Sequence, residues 1–156
     1  NCNEEQMEEL TKLSKNATNM HIHSTMPQNK LADLMRSMDI FVLPSYYEGL
    51  GLVNIEALAC GMRVVTTPIE GLIYLLGDTI NNSGLIKYVK LPRLYDVDKA
   101  VEEDKPQFIE DLVKEISSQI ESIKRKETVS EEIMNMIKEH SWEGIVHKVD
   151  SDIKRL

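Results

Sequence analysis

Residues 39–67 read DIFVLPSYYEGLGLVNIEALACGMRVVTT, and the rest of the chain is organised around them. Ile40 to Leu43 is an unbroken apolar run too short for a helix, and Pro44 stops it, which predicts a strand buried on both faces. Gly49 and Gly51 follow in a loop whose backbone can approach a ligand closely. From about Leu52 the pattern turns helical, with Val53, Ala57 and Leu58 near one face. Gly61 stands where a C-terminal cap belongs, and Val64 and Val65 open the next strand.

A strand, a glycine-bearing loop and a helix start at the strand's carboxyl end make the usual ligand crevice of an open parallel sheet. The helix start offers unpaired N–H donors and a partial positive charge, so a phosphate is the natural guest. Two carboxylates frame the loop: Glu48 before it and Glu56 about one turn into the helix. An acid near a helix N-terminus also stabilises the helix, and that explains Glu56 taken alone equally well.

Glu48 and Glu56 are separated by seven residues, with Gly49-Leu50-Gly51 after the first, Glu56-Ala57-Leu58-Ala59-Cys60-Gly61 at the second and Val64-Val65 beyond. In register these positions resemble the donor-site signature of retaining glycosyltransferases of the GT-B fold, glycosyltransferase family 4. Leu50 replaces the commoner Phe. The resemblance is strong over residues 31–67 and looser elsewhere. It implies a nucleoside diphosphate sugar as donor and transfer with retention at the anomeric carbon. It also implies roles: Glu48 as the catalytic-site residue on the donor sugar hydroxyls, the amides of Gly49, Leu50, Gly51 and Leu52 on the sugar and distal phosphate, and Glu56 on the ribose hydroxyls. A carboxylate can accept from two vicinal hydroxyls, and helix-start amides stabilise charge growing on a departing phosphate. The loop after the preceding strand lies near the nucleobase in the family, which makes Ser24 and Met26 base-side candidates.

With 156 residues, 42% hydrophobic and 28% charged, one domain with an adequate core is expected. A net charge of −8 argues against nucleic acid as a partner, because a phosphate backbone needs clustered Lys and Arg. Lys124 to Lys126 is the only basic run and reads as solvated surface. Cys2 and Cys60 have neither metal-ligand spacing nor a disulfide framework, so a reducing, cytoplasmic compartment is the simplest expectation. No apolar run approaches the roughly 18 residues of a membrane span.

Along the chain, residues 4–15 show Met7, Leu10 and Leu13 at helical intervals, a thin stripe on a surface helix. Met20 to His23 alternates and predicts a short strand, with His21 and His23 on one face; no third ligand follows, so no metal is expected. Thr25, Pro27 and Gln28 predict a helix start, with Leu31, Leu34, Met35 and Met38 as the buried face. This stretch resembles the family's helix leading into its DIFVLPS-like strand. After Thr67, only Gly71 and the apolar character of the family's next segment remain. Residues 81–84 read as a turn, Leu85 to Val89 as the last strand, and residues 92–104 as an acidic surface loop or broken helix.

Three helices are expected to close the chain. The first carries Ile109, Leu112, Val113, Ile116, Ile120 and Ile123 as its stripe and Asp104 as its cap; the second opens on a capping box from Thr128 to Glu131. The third has Ser141 as cap and Trp142, Ile145, Val149, Ile153 and Leu156 inward, with Trp142 as a packing anchor. The "SWE" at its start also resembles the family's C-terminal helix.

The predicted class is α/β, a Rossmann-like parallel sheet with flanking helices, as in the C-terminal half of a GT-B fold. By the resemblance, residues 1–156 are a single donor-binding domain lacking its first strands. The family's acceptor domain and its diphosphate-neutralising Arg and Lys would lie upstream. The isolated chain is therefore expected to transfer no sugar and to have open sheet edges, with contact to the membrane periphery only through the missing part. A non-catalytic nucleotide or nucleotide-sugar binding module is the alternative reading. A glycosidase is disfavoured, because its mechanism needs a second carboxylate flanking the same bond.

Overall fold

The computed structural model describes residues 4–17, 19–140 and 154. The chain divides into two compact units, Asn1–Leu31 and Ala32–Leu156. The first unit holds α1 (Glu4–Asn16), on which Met7 and Leu13 remain about half exposed, as a surface helix with a thin stripe should. Met20 to His23 is not a strand. An extended segment becomes one only by exchanging ladder hydrogen bonds, and no described strand pairs with it.

α2 (Gln28–Arg36) begins later than Thr25 would dictate: the carbonyl of Pro27 accepts the Leu31 amide at 3.0 Å. It also stops short of Met38. The Ser37 hydroxyl donates to the Leu34 carbonyl at 2.7 Å, and Met38 is left 50% exposed while Met35 is buried.

The second unit is built on β1 (Ile40–Leu43), β2 (Arg63–Thr66) and β3 (Ile86–Tyr88), parallel and in that order. α3 (Leu52–Ala59) joins the first two and α4 (Glu70–Asn81) the last two. Both crossovers advance in the same direction along the sheet, so the handedness rule puts α3 and α4 on one face. β2 is buried at every residue. β1 is half-buried throughout rather than enclosed, because it is an edge that pairs with β2 alone among the described strands.

α3 ends on a Schellman motif: Gly61, at φ 89°, sends its N–H to the Leu58 carbonyl at 3.0 Å, and Met62 sends its own to Ala57 at 3.1 Å. α4 was not legible in the sequence as a helix. Leu72, Leu76 and Ile80 make its buried stripe, and Gly77 (φ 66°, ψ 171°) kinks it. Asn81 spans the kink, donating to the Ile73 carbonyl at 2.7 Å and accepting from the Tyr88 hydroxyl at 2.6 Å.

Residues 92–104, expected as a surface loop or a broken helix, carry a small antiparallel hairpin, β4 (Leu94–Asp96) with β5 (Lys99–Ala100), and one 3-10 turn (Glu102–Asp104). α5 (Lys105–Lys124) then returns across the sheet. Asp104 sits at its N-cap position without capping it: the carboxylate accepts from the Arg93 amide and guanidinium at 2.6–3.0 Å. That pairing holds the Asp104 carboxyl down at about 2.

The buried face of α5 also differs from the apolar stripe. Ile109, Val113 and Ile120 face outward at 56, 56 and 39% exposure, while Phe108, Gln119 and Ser122 are buried. Arg63 is the reason. It lies two residues from Val65 on β2, so both point to the face that α5 covers. Val65 packs with Phe108, Leu112 and Ile116, and the Arg63 guanidinium needs an acceptor, which Gln119 supplies at 3.0 Å. α6 (Glu131–Glu139) is capped by Ser130, whose hydroxyl accepts the Ile133 amide, rather than through Thr128. Ser141 and the stripe from Trp142 to Leu156 lie outside the described residues, as does Cys2.

Candidate functional site

The three parallel strands end side by side, and the segments leaving them line one cleft of about 370 Å³: residues 46–49 after β1, residues 67–71 after β2, and Leu91 after β3. This is the crevice outside the carboxyl ends of an open sheet. Its walls are stitched together. The Thr66 hydroxyl donates to the Leu43 carbonyl at 3.0 Å and the Thr67 hydroxyl to the Ser45 carbonyl at 2.6 Å, fixing the exit of β1 against that of β2. Tyr46 turns its ring edge-on to Phe108, centroids 5.5 Å apart, anchoring the same exit to α5.

Glu48 is exposed on this cleft, its carboxylate accepting from the Ser45 hydroxyl at 3.2 Å. Gly49 lines the cleft beside it. Leu50 continues the loop, and Gly51 closes it in the left-handed region (φ 61°, ψ 42°) as the N-cap residue of α3, with no side chain capping that helix. Only glycine enters that region without strain. An added Cβ at Gly51 would also lie 2.8 Å from both Asn54 Nδ2 and Ile69 Cδ1. Leu52 is the first helical residue, 46% exposed, and Glu56 is half-buried one turn further, outside the residues that line the cleft. Ser24 and Met26 belong to the irregular segment of the first unit, and the cleft is formed by the second unit alone.

Several residues of the site carried no assigned role in the sequence, although Gly71 stood out as retained from the family's segment. Gly71 opens α4 against the loop, where a Cβ would meet Leu50 Cδ1 at 2.9 Å and the Gly49 carbonyl at 3.4 Å. Glu70, in the first turn of α4, lines the cleft together with Glu48, so a second carboxylate does reach it. Among the described residues no Lys or Arg lines it. Asn54 is fully buried under the loop, and a polar residue on the apolar face of a short helix was the available signal.

A parallel sheet with flanking helices and a glycine-loop crevice at its carboxyl edge defines a Rossmann-like half domain of GT-B type. The chain belongs to the family "Glycosyl transferases group 1", whose profile matches residues 2–93. It is 34% identical over 80 residues to the alpha-maltose-1-phosphate synthase of Mycobacterium tuberculosis, covering 51% of this chain and 20% of that protein. It is 51% identical over 51 residues to D-inositol 3-phosphate glycosyltransferase 2 of Catenulispora acidiphila, covering 33% of this chain and 12% of the relative. A putative teichuronic acid biosynthesis glycosyltransferase of Bacillus subtilis is 29% identical over 116 residues, 72% of this chain and 29% of its own length. The chain thus spans less than a third of each of these relatives. No solved structure matches it.

Proposed function

We propose that this chain is the donor-binding part of a retaining glycosyltransferase of family 4, taking a nucleoside diphosphate sugar in the cleft at Glu48. The observation that carries the reading is the loop itself: a family-matching Glu48-Gly49-Leu50-Gly51 segment that ends in a left-handed glycine and opens an uncapped helix beside the cleft. In this reading the Glu48 carboxylate accepts from the donor sugar hydroxyls. The amides from Gly49 to Leu52 face the sugar and distal phosphate, and Glu56 accepts from the ribose hydroxyls. Helix-start amides supply the phosphate's electrostatic partner, so the reading assigns no metal. The acceptor is a hydroxyl of a polysaccharide, lipid or glycan, brought by a separate acceptor domain, and the compartment is the cytoplasm. No described helix is long and apolar enough to cross a membrane.

Binding and transfer separate here. With Glu48 and Glu70 at the cleft and no Lys or Arg among the described residues lining it, the charge developing on a departing diphosphate has no described side-chain cation beside it. The 156 residues are therefore expected to bind donor and transfer nothing. The decisive test is titration of the chain with uridine, guanosine and adenosine diphosphates, followed by amide NMR and calorimetry. One of them should move the resonances of residues 48–56, and Glu56→Ala should weaken that binding by about 1–3 kcal/mol, the loss of hydrogen bonds to a charged group. Silence of all three diphosphates at millimolar concentration would overturn the proposal.

A further inference from the structure

Asn54 is fully buried on α3, and its carboxamide is only half satisfied. Nδ2 donates to the Gly51 carbonyl at 3.0 Å, while Oδ1 has no partner among the described residues. Turning the amide over would set Oδ1 against that carbonyl, oxygen to oxygen, so the orientation is fixed by its one hydrogen bond. Yet the Gly51 carbonyl does not need the side chain, because the backbone N–H of Asn54 already reaches it at 2.9 Å. A leucine, branched at the same carbon though bulkier, would leave nothing unpaired there and would remove a stranded acceptor. Stability alone therefore does not account for an amide at this position.

Geometry does. In a trans peptide the C=O and the following N–H point in opposite directions. Two donors from Asn54 clamp the Gly51 carbonyl inward, along α3, and so aim the Leu52 N–H outward, beyond the helix start. The same clamp restrains the ψ of Gly51 (φ 61°, ψ 42°), and the 2.8 Å separation of its virtual Cβ from Nδ2 shows how closely the amide seats on that glycine. We infer that Asn54 is a positioning residue: it holds the Gly51–Leu52 peptide so that the Leu52 amide faces an anionic group, the diphosphate of the proposed donor. This rests on the proposed function for the identity of the anion, and not for the clamp.

The experiment uses the 156-residue chain and the variants Asn54→Leu and Asn54→Asp, the second keeping size while replacing the donor by a carboxylate that repels the carbonyl. Without ligand, amide NMR should show displaced resonances at residues 51–53 in both variants, the consequence of releasing the Gly51–Leu52 peptide from one of its two donors. Asn54→Leu should keep or raise the urea midpoint. With uridine diphosphate and inorganic pyrophosphate as probes, affinity should fall about tenfold in both variants, the worth of one well-aimed bond to a charged group. Unchanged amides at 51–53, or unchanged affinity for a probe the parent binds, would overturn the inference. If Asn54→Leu does not fold, stability does require the amide and the inference fails on that count. If the parent binds neither probe nor guanosine or adenosine diphosphate, the proposed function fails, while the ligand-free amides still decide whether Asn54 positions the peptide.

Discussion

Gln119→Met probes the joint that ties β2 to α5. Gln119 is completely buried; Oε1 accepts from Arg63 Nη1 at 3.0 Å, and Nε2 lies 3.1 Å from the Gly84 carbonyl and 3.2 Å from that of Leu85. Methionine matches its length and volume without its polarity. Neither carbonyl is orphaned by the change, because Gly84 keeps Arg63 Nη1 at 3.3 Å and Leu85 keeps the Val64 amide at 2.8 Å. Arg63 keeps Gly84 and the Glu127 carbonyl, but loses its shortest partner in a site where it is only 8% exposed. The expected cost is thus that of one buried hydrogen bond to a charged donor, about 1.5–3 kcal/mol. Arg63→Met strands Gln119 Oε1 in turn, so the double variant should be less damaged than the sum of the singles, by about 1–3 kcal/mol. Urea denaturation of the four proteins measures both quantities. A Gln119→Met cost below about 0.5 kcal/mol, the ordinary range for a surface change, or strictly additive singles, would refute the reasoning that α5 is oriented by this amide.

Gly51→Ala should destabilise by about 2 kcal/mol or more, combining the left-handed penalty of about 1–2 kcal/mol with a Cβ 2.8 Å from two neighbours. Gly49→Ala, with nothing within 4 Å of its Cβ, should stay within about 0.5 kcal/mol; equal urea midpoints for the two variants would contradict the loop geometry. Burial pushes the Tyr88 phenol up to about 12. Its folded form therefore holds the proton more tightly than the unfolded chain, the stabilisation is complete below about pH 10, and it drains away as pH rises from there toward 12. Ultraviolet titration should show one tyrosine ionising late, and Tyr88→Phe should flatten the alkaline loss of stability; a curve unchanged by the substitution would count against that burial. Glu70→Gln removes a like charge from the cleft and should tighten uridine diphosphate binding by about two- to fivefold, the scale of one exposed charge interaction; calorimetry showing weaker binding would mean that Glu70 contacts the ligand favourably.

The strand, loop and helix of residues 39–61 were legible in the sequence, because each of their signals is local. An apolar run stopped by Pro44, two glycines before a helical period and a terminal glycine act through the conformations of the residues that carry them. The family resemblance rode on that same stretch. Tertiary structure alone decided what depends on a partner distant in the chain. Met20 to His23 has the alternation of a strand and no described ladder to join, and β1 has a core strand's composition but an edge strand's exposure. Asp104 has the side chain of a helix cap, yet Arg93 takes its carboxylate from eleven residues away. The apolar stripe of α5 predicted one face; Leu112 and Ile116 do pack against the sheet, but Ile109, Val113 and Ile120 stay outside while Gln119 is buried as acceptor for an arginine on β2, 56 residues away. Glu70 and Gly71 reach the cleft only because α4 starts where β2 ends. Local conformational preference is written residue by residue, whereas the partners of buried charges and the walls of a cleft are set by which elements the fold brings side by side.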